Sequence, residues 1–204
     1  MMWNSGDYLY NTDEAEAIIK ERLSQKRLNH SLNVAHECGK LARLYNEDEE
    51  RACYAGLLHD VCKELPHDEL LDMVKKSKLS VKKEELASKA LWHSIAGAYY
   101  VQNFMGVKDC DIINAIRFHT VGRAGMSRLE EIVYLGDLVS ADRDYKDVKK
   151  MRRLAYSDID KAMLEALCFG ITSVMGKGGY IPVYTLEAYN QYLYVCNEKN
   201  ERRI

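Results

Sequence analysis

The sequence predicts an all-α fold, and three observations carry that prediction. Only two prolines, Pro66 and Pro182, interrupt the 204 residues. Long stretches consist of alanine, leucine, glutamate and lysine, which lose little freedom on entering a helix. Apolar residues recur at three- and four-residue intervals, the spacing that lines up side chains on one helical face.

Thr12 or Asp13 can cap a first helix running to about Gln25. A second should run from about Arg27 to Tyr45, with Leu28, Leu32, Ala35, Ala42 and Tyr45 as its apolar recurrence. Asp48 can cap a third, which carries Ala52, Ala55, Leu58 and His59 and should stop before Pro66. A fourth begins near Asp68, and the charged stretch VKKEELASKA follows it. LWHSIAGAYYVQNFMG reads as helix up to Gly106, which supplies a C-terminal cap. DCDIINAIRFH is helical and HTVGRAGMS, with two glycines, is a loop. Helix returns from Arg128 to about Arg143, then in KDVKKMRRLAY and SDIDKAMLEALCFGITSVM. After the turn GKGGYIP, Thr185 caps a last helix, TLEAYNQYLYVCNEK. No repeat, low-complexity tract or Pro/Gly/Ser-rich linker divides the chain, so a single domain over residues 1–204 is expected.

Composition narrows the function. Hydrophobic residues at 47% and charged residues at 29% are ordinary for a folded globular protein. A formal charge of -2 gives no general attraction to nucleic acid or anionic lipid, so phosphate would have to be bound at a local site. No apolar run is long enough to span a membrane. The opening MMWNSGDYLYN lacks the basic-then-apolar pattern of a secretion signal, and a cytoplasmic location is expected. The six cysteines, Cys38, Cys53, Cys62, Cys110, Cys168 and Cys196, form no C-x-x-C pair and read as buried reduced thiols.

The chemistry lies in the histidines and aspartates. His30 falls early on the second helix, His59 and Asp60 end the third, His93 follows Leu91-Trp92, His119 ends IINAIRFH, and Asp137 sits within the apolar run IVYLGDLV. Any one of these alone reads as a hydrogen-bonded core residue. Together they make a mixed imidazole and carboxylate set that suits iron, manganese or zinc, and the lack of cysteine disfavours a structural zinc site. Adjacent helical residues point about 100° apart, so His59 and Asp60 can reach one ion from a helix end, or the carboxylate can bridge two.

The ordered set His30, His59-Asp60, His93, His119 and Asp137 resembles the signature of the HD-domain metal-dependent phosphohydrolases. More closely, RLNHSLNVA, AGLLHDVCKEL, LWHSIAGAYYV, IRFHTVGRAGMS, YLGDLVSADRDY and TLEAYN resemble consecutive blocks of the YqeK-type bacterial hydrolases that split diadenosine tetraphosphate symmetrically. The resemblance covers roughly residues 14 to 195 and implies a single HD-domain helical bundle with short extensions at both ends. It implies an iron-type centre of one or two ions, with manganese or another divalent ion acceptable. His30, His59, Asp60 and Asp137 would hold the inner ion, and His93 and His119 would lie towards a second ion or the substrate phosphates. His59, Asp60, Lys63, His93 and His119 would form the catalytic group.

The resemblance also brings Lys63 to face the nucleotide phosphates, against the plainer reading of a solvated lysine at a helix end. In the loop after His119, Gly122 would let backbone N–H groups approach an anion and Thr120 would donate a hydroxyl hydrogen bond. Arg143 matches an arginine expected to fork onto phosphate oxygens, although Ser140 and Ala141 stand where the family usually has Glu-Pro. In GKGGYIP, Gly178, Gly179, Tyr180 and Ile181 correspond to a loop near the nucleoside; Tyr180 or Ile181 can pack on adenine, or Ile181 can simply anchor the loop.

The implied reaction is hydrolysis of diadenosine tetraphosphate to two ADP by a water that a divalent ion activates, its pKa brought from 15.7 to around 7. Lys63 and Arg143 would neutralise charge on the phosphoryl oxygens and the departing diphosphate. The alternatives are another HD-domain nucleotide phosphohydrolase, a nucleotidase or phosphodiesterase, or a non-catalytic nucleotide-binding helical module. The expected partner is a dinucleoside polyphosphate, with neither nucleic acid nor membrane. Tyr184, Tyr189, Tyr192 and Tyr194 leave monomer and homodimer open, with internal packing preferred.

Overall fold

The computed structural model describes residues 11–201. The stretch read above for a secretion signal, up to residue 10, and the last three residues lie outside the described residues. Among the described residues there is no strand. The helices are α1 Thr12–Arg22, α2 Gln25–Tyr45, α3 Glu49–Leu58, α4 His67–Lys76, α5 Lys83–Ala87, α6 Trp92–Asn103, α7 Cys110–Phe118, α8 Arg128–Val139, α9 Val148–Ala155, α10 Ile159–Gly176 and α11 Val183–Glu201, with a short 3-10 turn at Lys89–Leu91. Their apolar faces meet in one continuous core.

Helix starts follow side-chain oxygens. Asn11, Ser24, Asp48, Asp109, Ser127 and Asp158 each accept a bond from a backbone N–H of the first turn. Asp48 caps α3 as expected, whereas α1 is capped by Asn11 rather than by Thr12 or Asp13. On α2, Leu32 is exposed, and the buried stripe is instead Leu28, Val34, Cys38, Leu41 and Ala42, because α2 packs against both α3 and α8.

Two ends differ from expectation for tertiary reasons. The helix expected to reach Arg143 stops at Val139, where Arg152 of α9 donates to the carbonyls of Val139, Ser140 and Arg143 at 2.9, 2.7 and 2.9 Å. A guanidinium on the free carbonyls replaces the next helical turn. The last helix begins at Val183, and Thr185 does not cap it: its hydroxyl donates to the Val121 carbonyl at 2.8 Å and ties α11 to the loop after α7. The thiols divide as well. All six cysteines are free, but Cys110 and Cys168 are exposed and only Cys38, Cys62 and Cys196 are buried, correcting the expectation of six buried thiols.

The packing that positions the site centres on Cys38, which is fully buried in α2. Gly56 of α3 and Gly136 of α8 both face it: a Cβ on Gly136 would lie 2.5 Å from Cys38 Sγ, and one on Gly56 would lie 2.8 Å from it. The missing side chains let three helices approach one another closely, just before His59-Asp60 on α3 and beside Asp137 on α8.

Gly136→Ala should therefore destabilise the protein by about 2 kcal/mol, the overpacking cost outweighing the better helix propensity of alanine. Adding Cys38→Ala should relieve most of that loss, because the remaining neighbours of a Cβ at 136 stand at ordinary contact distance. The same second change should not relieve Gly56→Ala, where Ala35 Cα lies 3.1 Å from the added carbon. Denaturant melts of the single and double variants check both expectations.

Candidate metal centre

Five helices deliver one cluster. His30 comes from the second turn of α2, His59 and Asp60 from the exit of α3, His93 from the first turn of α6, His119 from just past α7, and Asp137 from the last turn of α8. His59 Nδ1 donates to the Gly56 carbonyl at 2.7 Å and His119 Nδ1 to the Ile116 carbonyl at 2.8 Å. In both cases the acceptor lies three residues back, where the helix end leaves carbonyls free. Since a carbonyl only accepts, the ring proton sits on Nδ1 and the Nε2 lone pair faces the cluster. His30 is held differently: its Nδ1 lies 2.8 Å from Asp142 Oδ2 and its Nε2 3.0 Å from Asp137 Oδ1.

Asp60 stands between the two halves of the cluster. Its Oδ2 lies 3.5 Å from His59 Nε2, while its Oδ1 lies 3.1 Å from His93 Nε2 and 3.5 Å from His119 Nε2. Three overlapping ligand sets result, with donor atoms within 4.8 Å of one another: His30, His59 and Asp60; His59, His119 and Asp137; and Asp60, His93 and His119. His59 Nε2 and Asp60 Oδ1 are buried with no hydrogen-bond partner. Such atoms are costly to bury unless a cation satisfies them, and an all-nitrogen-and-oxygen set fits a divalent metal.

The electrostatics agree. Burial raises the Asp60 carboxyl, but His59, His119 and His93 outweigh it and hold Asp60 well below the usual carboxylate range. Asp137 is likewise driven down, burial being overcome by the His30 ring beside it and by the charges of His59 and Arg143. Burial pushes His93 down to about 4 despite the Asp60 carboxylate beside it, so its imidazole is neutral near pH 7. Burial lowers His119 too, whereas at His59 the charge of Asp60 outweighs burial and raises it.

Three cations border the carboxylates. Lys63 Nζ donates to His93 Nε2 at 3.0 Å and lies 3.6 Å from Asp60 Oδ1; burial pulls its ammonium below the ordinary lysine range. Arg143 Nε donates to the Asp137 carbonyl at 2.7 Å and its Nη2 to the Asp137 carboxylate, so its fork already rests on a protein ligand. Arg27, which sequence reasoning missed, pairs with Asp60 Oδ2 at 3.1 Å. Its signal was its place three residues before His30, on the same face of α2.

Two cavities lie near the cluster. One of about 200 Å³ is largely apolar, lined by Thr120, Val121, Tyr134, Gly179, Tyr180 and Ile181 among others. The other, of about 380 Å³, is polar and includes Lys26, Arg27, His30, Asp142, Arg143 and Tyr145. Gly178 takes φ +64 in the turn before α11 without lining the apolar cavity. Gly122 closes α7: its own N–H donates to the Phe118 carbonyl at 2.7 Å, and a Cβ placed on it would lie 3.2 Å from Leu167 Cδ2.

Comparison with known proteins agrees with this geometry. The family model described as HD domain matches residues 27–142, which contain every member of the cluster. A symmetrical bis(5'-nucleosyl)-tetraphosphatase of Halalkalibacterium halodurans is 35% identical, covering 90% of this chain and 97% of the relative. Its counterpart in Bacillus subtilis is 32% identical over 88% of this chain and 96% of the relative. The crystal structure of a predicted HD superfamily hydrolase involved in NAD metabolism from Clostridium acetobutylicum superposes with a TM-score of 0.86 at 35% identity, covering 91% of this chain and 98% of that one. The chain belongs to the HD-domain family and, within it, to the group that contains the symmetrical bis(5'-nucleosyl)-tetraphosphatases.

Proposed function

We propose that this protein is a metal-dependent hydrolase that cleaves diadenosine tetraphosphate at its central bridge to give two ADP. The observation that carries the reading is the convergence of four histidines and two aspartates from five helices, with buried donor atoms left for a cation and a cavity nearby for a nucleoside. His30, His59, Asp60 and Asp137 would hold an inner ion, and Asp60, His93 and His119 would offer donors to a second. Iron suits this mixture of imidazole and carboxylate, and manganese is acceptable to it. The ion, when bound, supplies an activated water and a Lewis acid for the phosphoryl oxygens.

The chain's own residues do the rest. Thr120 donates its hydroxyl to the bound ADP unit, and Tyr180 and Ile181 cover the adenine. One ADP held in this way beside the cluster presents an inner phosphorus to attack, which accounts for symmetrical products from an asymmetrical site. The water oxygen would bond to that phosphorus as its proton passes to solvent, and the central bridging oxygen would depart with its electron pair on the second ADP. Lys63, Arg27 and Arg143 neutralise the charge that builds there. The whole chain acts as one domain, and its six free thiols fit the reducing cytoplasm.

Diadenosine tetraphosphate incubated with the metal-loaded protein should yield ADP alone; ATP with AMP would defeat the assignment. His59→Ala and Asp60→Ala should each abolish turnover and lower bound metal while circular dichroism stays nearly unchanged. Lys63→Ala should lower kcat/KM by about a hundredfold, the cost of one lost charge contact to the transition state, with metal content unaltered by elemental analysis.

A further inference from the structure

We propose that Asp142 is a positioning residue that fixes the tautomer and ring plane of His30 and thereby sets the affinity of the cluster for a divalent ion. The inference rests on the reading of His30 as a ligand. His59 and His119 find acceptors for their Nδ1 protons on their own helices, because each lies just beyond a helix end. His30 lies inside α2, where the preceding carbonyls are taken by the helix ladder. Its acceptor has to come from elsewhere, and it is Asp142 Oδ2 at 2.8 Å, 112 residues along the chain.

Asp142 is itself held in place. Ser140, fully buried, donates its hydroxyl to Asp142 Oδ1 at 2.9 Å, and the backbone there is fixed by Arg152 on the Ser140 carbonyl. Asp142 belongs to none of the ligand sets. It does line the polar cavity with Lys26, Arg27 and Arg143, where a carboxylate works against a polyphosphate, so electrostatics towards substrate do not account for it.

The alternative tautomer shows what Asp142 prevents. His30 Nε2 stands 3.0 Å from Asp137 Oδ1. With the proton on Nε2, the two groups would bond to each other, and both would lose the lone pairs they present to an ion. A proton held on Nδ1 by Asp142 keeps Nε2 free, as outer acceptors do for ligand histidines generally.

Metal-free protein titrated calorimetrically with Mn²⁺ tests this. Asp142→Ala should weaken Mn²⁺ binding by about 10- to 100-fold. Asp142→Asn, whose amide oxygen still accepts, should recover most of the loss. Nitrogen-15 spectra of the metal-free protein should place the His30 proton on Nδ1 in the wild type and on Nε2 in Asp142→Ala, a change that loosened packing alone would not produce. Unchanged Mn²⁺ affinity in Asp142→Ala, or a His30 proton that stays on Nδ1 there, overturns the proposal. His30→Ala separates the two levels: if it too leaves Mn²⁺ affinity unaltered, the ligand reading of His30 has failed, whereas a loss in His30→Ala alone leaves that reading standing and removes Asp142.

Discussion

The close approach of α2, α3 and α8 around Cys38 is the constraint on which the site depends. A metal cluster assembled from different helices requires their backbones to be fixed to within a few tenths of an ångström, and flexible side chains at the crossing would not fix them. Here the crossing is filled by one sulfur, with the bare faces of Gly56 and Gly136 against it. Gly56 serves twice, since its carbonyl also accepts the His59 Nδ1 proton. Gly136 immediately precedes Asp137 along α8. The packing contact and the ligand contact are therefore one residue apart on α8 and three apart on α3, so a shift at the crossing is passed to the cluster with little slack.

The same region carries an electrostatic problem that the fold resolves from two sides. Asp60 and Asp137 are ionised within one buried cluster, where two negative charges raise each other's energy. Arg27 and Lys63 meet Asp60 from the α2 and α3 sides, and Arg143 meets Asp137 from beyond α8. These three cations compensate the two carboxylates within the fold itself, so neither negative charge stands alone in the cluster.

Much of this was legible in the sequence. Helix identity follows from composition and period, and each member of the His/Asp set stands in a block with helical surroundings. What stayed hidden was settled by partners distant in sequence. The end of α8 is decided by Arg152, 13 residues beyond Val139, while the local residues favour continuing the helix. Leu32 matches the apolar period of α2, but the neighbours of α2 turn the buried face towards Val34 and Cys38. Asp142 is one acidic residue among several in DRDYKD, and only the fold brings it to His30. Gly122 adds a backbone role that composition does not announce: with φ +65 its own N–H closes α7 on the Phe118 carbonyl.

The His-Asp doublet and the lysine three residues after it also gain a physical connection from the backbone. Beyond Leu58 the chain leaves the α-helix and tightens: Val61 bonds back to Leu58, Lys63 to Asp60 and Leu65 to Cys62, each a three-residue step. In such a turn, residues three apart eclipse one another. A continuing α-helix would instead rotate Lys63 by about 60° from Asp60, the remainder of a 3.6-residue turn. The tighter winding keeps the lysine on the face of the carboxylate, which is why Lys63 Nζ reaches both Asp60 and His93. The three-residue turns thus set the spacing of the doublet and its lysine, and they place a buried carboxylate and a cation side by side without help from a second element.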